Sequence, residues 1–178
     1  MSELQQLLDK DAIRDLVLRY CRAIDRRDYD ALPELYHDDA TDDHSPMYQG
    51  SARGYLEWLP SMLETMTVTS HMVQNHLIAV DGNRAEGEVS MISYHLTRDP
   101  DGADIEIVIG GRYLDHYEKR DGVWRFARRK IVMDWNQIQP ALCQWDSPLV
   151  AGTALGRDCA SDPARDFFSL LRFGARRG

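Results

Sequence analysis

Gly111-Arg112-Tyr113-Leu114-Asp115-His116-Tyr117-Glu118-Lys119-Arg120-Asp121-Gly122-Val123-Trp124-Arg125-Phe126 reads as two strands joined at Asp121-Gly122. Asp-Gly between strand-like runs is a strong hairpin signal, because glycine accepts the positive φ that a tight turn needs. Outward from this hairpin, Thr67–Val80, Arg84–Arg98, Ile105–Arg120 and Val123–Gln137 are long β-rich segments. Asp81-Gly82-Asn83 and Asp99-Pro100-Asp101-Gly102 separate the earlier ones. The pattern predicts a four-strand antiparallel meander.

Upstream of Thr67 the period is helical. Ile13, Leu16, Val17, Tyr20 and Ile24 recur at three- and four-residue spacing, so a long first helix over Ser2–Asp28 carries one apolar stripe. Asp30–His37 reads as a short second helix and Asp39–Tyr48 as a strand. Ser51 can cap a third helix over Ala52–Met66, with a kink or break at Pro60. Three helices and a strand followed by a meander make an α+β architecture. A strongly curved, mostly antiparallel sheet packed on the helices would enclose a conical pocket, giving a cone-shaped α+β barrel over residues 1–137. Residues 138–178 read as an arm broken by Pro140, Pro148, Gly152, Gly156 and Pro163. A short helix after Asp162-Pro163, bearing Phe167, Phe168, Leu171 and Phe173, ends it as a lid or a subunit contact.

Composition narrows the function. A chain of 178 residues with 43% hydrophobic and 28% charged residues is an ordinary globular domain. Net charge −8 with pI ≈ 5.2 argues against nucleic acid as a partner. No apolar run approaches the roughly 20 residues needed to cross a bilayer, and the polar N-terminus shows no signal-peptide core. Cys21, Cys143 and Cys159 have no metal-ligand spacing, so neither a disulfide framework nor structural zinc is expected, and a cytoplasmic location follows. No dinucleotide, P-loop or zinc-protease motif is present, so no cofactor is expected.

Two residues carry the chemistry. Asp25 closes the first helix at the flank of its apolar arc, where a carboxylate is disfavoured by the helix dipole. His71 opens the strand after the third helix. Brought together, the carboxylate would hold one imidazole nitrogen protonated and leave the other free as a general base. Apart, each is ordinary: Asp25 a surface carboxylate near Arg22 or Arg26, and His71 a structural histidine. Alternation puts Asn75 on the His71 face. Tyr20 lies on the apolar stripe, as a core tyrosine or a substrate-orienting hydroxyl. Asp42-Asp43-His44 suggests a metal at first sight, but neighbouring strand residues alternate faces and cannot all converge, so no metal site is expected; His44 remains a pocket candidate. Tyr94, His95, Arg129, Asp134 and Trp135 sit on meander strands whose inward face parity alone cannot fix, since one bulge inverts it. Met62, Met66, Leu77, Met91 and Trp135 are the candidate apolar walls.

The first helix ending Leu18-Arg19-Tyr20-Cys21-Arg22-Ala23-Ile24-Asp25-Arg26-Arg27-Asp28-Tyr29, the segment Leu35-Tyr36-His37-Asp38-Asp39-Ala40, and the terminal meander together resemble the SnoaL-like members of the nuclear-transport-factor-2-like superfamily. Within it the chain is most similar to small cofactor-free lyases such as scytalone dehydratase, hexachlorocyclohexane dehydrochlorinase and bile-acid 7α-dehydratase. The resemblance implies an Asp–His pair at Asp25 and His71, an assisting tyrosine at Tyr20, and a basic residue at or next to Arg129. Substrate contacts at Asn75, His44, Tyr94, Arg129 and Trp135 complete the expected site. The implied reaction is dehydration or dehydrohalogenation of a small hydrophobic, steroid-like or aromatic substrate. The same fold hosts ketosteroid isomerases, polyketide cyclases and non-catalytic binding proteins. A homo-oligomer, dimer or trimer, is expected from the exposed convex face of such a sheet.

Overall fold

A computed structural model describes residues 2–171. Helix α1 spans Glu3–Asp25, its first turn capped by Ser2, whose hydroxyl accepts from the Gln5 N–H at 3.2 Å. A single 3₁₀ turn, Leu32–Leu35, leads into β1 (Tyr36–His44). The second helix expected over Asp30–His37 shrinks to this turn. So short a run cannot sustain a helix by itself, and Tyr36 is already paired with Phe126 in the sheet. Strand β2 (Tyr48–Ser51) returns antiparallel to β1. Helix α2 (Ala52–Leu63) follows, with Ser51 accepting from the Gly54 N–H at 3.1 Å. Pro60 lies inside α2, which stops three residues later, short of the expected Met66.

The meander is β3 (Met66–Asp81), β4 (Arg84–Arg98), β5 (Asp104–Arg120) and β6 (Val123–Pro140). Asp121 and Gly122 both take positive φ, 53° and 81°, the mirror-image turn that matches strand twist. The six strands form one curved sheet in the order β2-β1-β6-β5-β4-β3. Among the described residues only the β1–β6 pairing is parallel. This is the α+β cone that the sequence predicts, with α1 and α2 against the inner face.

The core identifies that face. Ile13, Leu16, Val17, Tyr20 and Ile24 of α1 and Tyr55, Leu59 and Leu63 of α2 are buried against Val89, Met91, Tyr113, Tyr117 and Phe126. Every sheet residue in register with Met91 or Tyr113 shares it, and its neighbours face outward. Four irregularities in the meander adjust the count. The β3–β4 register shifts between Met66 and Val68 and between Val73 and His76, and the β5–β6 register shifts between Gly110 and Gly111 and between His116 and Tyr117. Past β6 the chain continues as an arm, ending in one helical turn, α3 (Ala164–Phe167). Phe167 is 83% exposed there, while Phe173 lies outside the described residues.

Candidate active site

Asp25 is the last residue of α1, and that helix packs against β3. Its carboxylate holds His71 twice. Oδ2 accepts from the His71 backbone N–H at 2.7 Å, and Oδ1 lies 2.7 Å from His71 Nδ1. An ionised carboxylate only accepts, so the proton of the ring sits on Nδ1 and Nε2 is left bare. Both side chains are about nine-tenths covered, 10% and 11% exposed. Burial works against the Asp25 charge, but the hydrogen bonds from the ring and main chain of His71, with a further bond from Thr69, hold its carboxyl below the usual carboxylate range.

The register puts His71 opposite Ser93 and Thr69 opposite His95, all on the inner face. The His95 ring meets that of His71 edge-on, centroids 5.7 Å apart. Burial, and then the neighbouring His71, push the His95 imidazole from 6.5 down to about 4. It is therefore neutral across the physiological range. Met91, Ser93 and His95 alternate cleanly on one strand, so the facing of His95 follows once Met91 is known to be core. The unfolded chain binds a proton at His95 below pH 6.5 while the folded one does not, so stability falls as pH drops through that window. From pH 7 to pH 5 this contributes a loss of about 2 kcal/mol. Urea midpoints measured at both pH values should show it, and His95→Gln should remove that share.

On β6 the register places Arg129 opposite Asp115 on the inner face and turns Arg128 outward, opposite His116. Ala127 is the extra residue at the register shift between Phe126 and Arg128. Arg129 is fully buried, with Nε and Nη2 each 2.8 Å from an Asp115 carboxylate oxygen. Its guanidinium carbon lies 4.2, 4.1 and 4.1 Å from the ring centroids of Tyr20, Tyr113 and Phe126. Nη1 has no hydrogen-bond partner among the described residues.

Tyr20 is buried beside this cation, its hydroxyl 2.9 Å from that of Tyr55. Tyr55 stacks on His44, centroids 4.6 Å apart, and its hydroxyl reaches His44 Nε2 at 3.5 Å. His44 Nδ1 is bonded in turn to Asp42, which also accepts from the Tyr36 hydroxyl at 2.8 Å. Asp42 and His44 share the inner face while Asp43 turns out to Lys130. Among the described residues no three His, Cys, Asp or Glu side chains converge as a metal site.

The structure does not place the other three expected residues on the inner face. Asn75 falls at the β3 bulge and is exposed, and His76 takes the inner position instead, 3.4 Å from the Tyr117 hydroxyl. Tyr94 faces outward and donates to Glu106 at 3.1 Å. Trp135 is opposite Gly110, also outward, with its ring against the bare glycine backbone. Leu77, expected in the apolar wall, is 71% exposed.

A model of the SnoaL-like domain matches residues 5–130. The chain belongs to the SnoaL-like family. It is 29% identical over 141 residues to the gamma-hexachlorocyclohexane dehydrochlorinase of Sphingobium indicum, covering 76% of this chain and 86% of that one. An uncharacterized protein of Mycobacterium tuberculosis is 27% identical over 131 residues, 72% of this chain and 88% of its own. A solved hexachlorocyclohexane dehydrochlorinase superposes with a TM-score of 0.71 at 24% identity, over 83% of this chain and 99% of that one. A scytalone dehydratase-like protein of Novosphingobium aromaticivorans superposes with a TM-score of 0.66 at 20% identity, over 78% and 91% of the two chains. These likenesses support a lyase-type or related enzyme. No helix among the described residues is long and apolar enough to cross a membrane.

Proposed function

We propose that this SnoaL-like protein is a lyase acting on a hydrophobic ring compound through an Asp25–His71 general base. The observation that carries the reading is the two-point grip of Asp25 on His71, which fixes the tautomer with Nε2 bare on the inner face. His71 takes a proton from a carbon beside an activating group, and the electron pair left on carbon expels hydroxide or halide from its neighbour. Tyr20, or the unpartnered Nη1 of Arg129, meets the charge that develops on the leaving group. The chemistry calls on no cofactor. A positioned base supplies roughly 10²–10⁴-fold, so orientation and exclusion of water provide the remainder.

A ketosteroid-isomerase-like reading is favoured by one observation, the neutral His95 beside His71, which can donate to a developing enolate oxygen. Tyr94 is not available for that role because it faces outward. Product mass separates the two. The protein is incubated in deuterated water with gamma-hexachlorocyclohexane and, separately, with 3-hydroxycyclohexanone and with cyclohex-3-en-1-one. Loss of hydrogen chloride or water supports the lyase; conversion of the cyclohexenone to its conjugated isomer, at unchanged mass apart from deuterium taken up at carbon, supports the isomerase. Neither elimination nor isomerisation on any of these compounds counts against both and for a binding protein.

A further inference from the structure

We propose that the cavity beneath the C-terminal arm, beside Asp25, is a second binding compartment that takes the carboxylate of an aromatic or polycyclic acid on Arg157. The cavity measures about 630 Å³ and is lined by Asp25, Arg27, Thr69, Trp145, Arg157 and Asp158, among others. That is the size of a small-molecule site.

Its roof is held in place from several directions. The Cys159 N–H donates to the Arg26 carbonyl at 2.6 Å, and Arg26 lies 3.7 Å from Asp162. Asp162 also accepts the N–H groups of Arg157 and Ala164 at 3.1 and 2.9 Å. Gly156 rests directly on Arg26: a Cβ there would come within 2.6 Å of Nη1.

The charges in the walls decide the ligand. Arg27 is committed to the fold, donating to Thr69 Oγ1 at 2.7 Å and to the Met66 carbonyl at 3.0 Å. Arg26 is drawn to Asp162, and the Asp25 carboxylate is occupied by His71. The Arg157 side chain donates only to the Gly156 carbonyl, at 3.0 Å, and has no carboxylate at ion-pair distance among the described residues. A chain of net charge −8 thus keeps an exposed cation without an ion pair here, in the same walls as the half-exposed indole of Trp145. A guanidinium pairs a carboxylate through two parallel N–H bonds, and an indole face takes a ring. Asp25 and Asp158 in the same walls disfavour a doubly charged phosphate. That the ring then reaches His71 rests on the proposed function; capture of the acid does not.

The test uses the full chain and two probes of one shape, 2-naphthoate and the neutral 2-naphthamide, with affinities read by calorimetry. The acid should bind on the order of tenfold more tightly, the scale of a charge-assisted hydrogen bond. Arg157→Gln should abolish the preference, Arg157→Lys should restore part of it, and Trp145→Phe should weaken both probes. Equal affinity for the two probes, a preference that survives Arg157→Gln, or no measurable binding of naphthoate would overturn the proposal. Selective binding without elimination on any substrate would sink the lyase reading and leave this compartment standing.

Discussion

Replacing Asp25 with asparagine lowers kcat by roughly 10⁴-fold, the scale of a base held in the wrong tautomer, and leaves the fold intact. The carboxylate now accepts two N–H donors, the main chain and the ring of His71. An amide has one acceptor and one NH₂ group. If its oxygen keeps the main-chain bond, the NH₂ faces Nδ1, and the ring proton must move to Nε2. The base is then capped where it should accept. His71→Ala removes the base outright and costs at least the roughly 10²–10⁴-fold of general base catalysis. Neither change touches the apolar core, so stability shifts by only about 1 kcal/mol for the lost bonds. Stopped assays on a substrate turned over by the unaltered protein, with circular dichroism melts, check both halves. Turnover near the unaltered rate in either variant ends the proposal.

Arg129→Met has the second large effect, on stability. The guanidinium and Asp115 are both fully buried, and their charges are met by each other, by the Tyr117 hydroxyl on Asp115 and by aromatic rings around Arg129. Removing one partner strands the other, a loss of about 3–5 kcal/mol. In a chain of this length that lowers Tm by roughly 10 °C. Removing both, as Arg129→Met with Asp115→Leu, recovers much of the loss, because a well-packed apolar pair avoids the desolvation of ions. Urea denaturation of the two single variants and the double variant measures the coupling. A single variant within about 1 kcal/mol of the parent would show that the pair does not hold the core.

Much of the architecture is readable from the chain because its signals are local. Asp-Gly turns, the cap at Ser51 and the α1 stripe each depend on a few adjacent residues, and those elements form close to where they are expected. The second helix does not, because a few apolar residues around Pro33 sustain no more than one tight turn. At the site, Asp25 and His71 are legible as a pair because helix end and strand start are both fixed points. Asn75 and Trp135 lie on the wrong side because the facing of a strand residue depends on every bulge before it, and Tyr94 because plain alternation from Met91 turns it out. One extra residue in β3 turns Asn75 out and His76 in, and the alternation that turns Tyr94 out turns His95 in. Arg27, which ties the ends of both helices to β3 from a backbone φ of 53°, leaves no mark in the sequence at all.

His71 stands on β3, the outermost strand of the sheet, which has a neighbour on one side only. Such a strand is ordinarily the easiest part of a sheet to peel away. Because Asp25 grasps its peptide N–H as well as its imidazole, the helix end works as a peg that keeps the margin seated where the proton is to be moved. Anyone seeking to rewrite the reaction should therefore leave this peg alone and vary Ser93 and His95, on the neighbouring strand β4, which is paired on both sides.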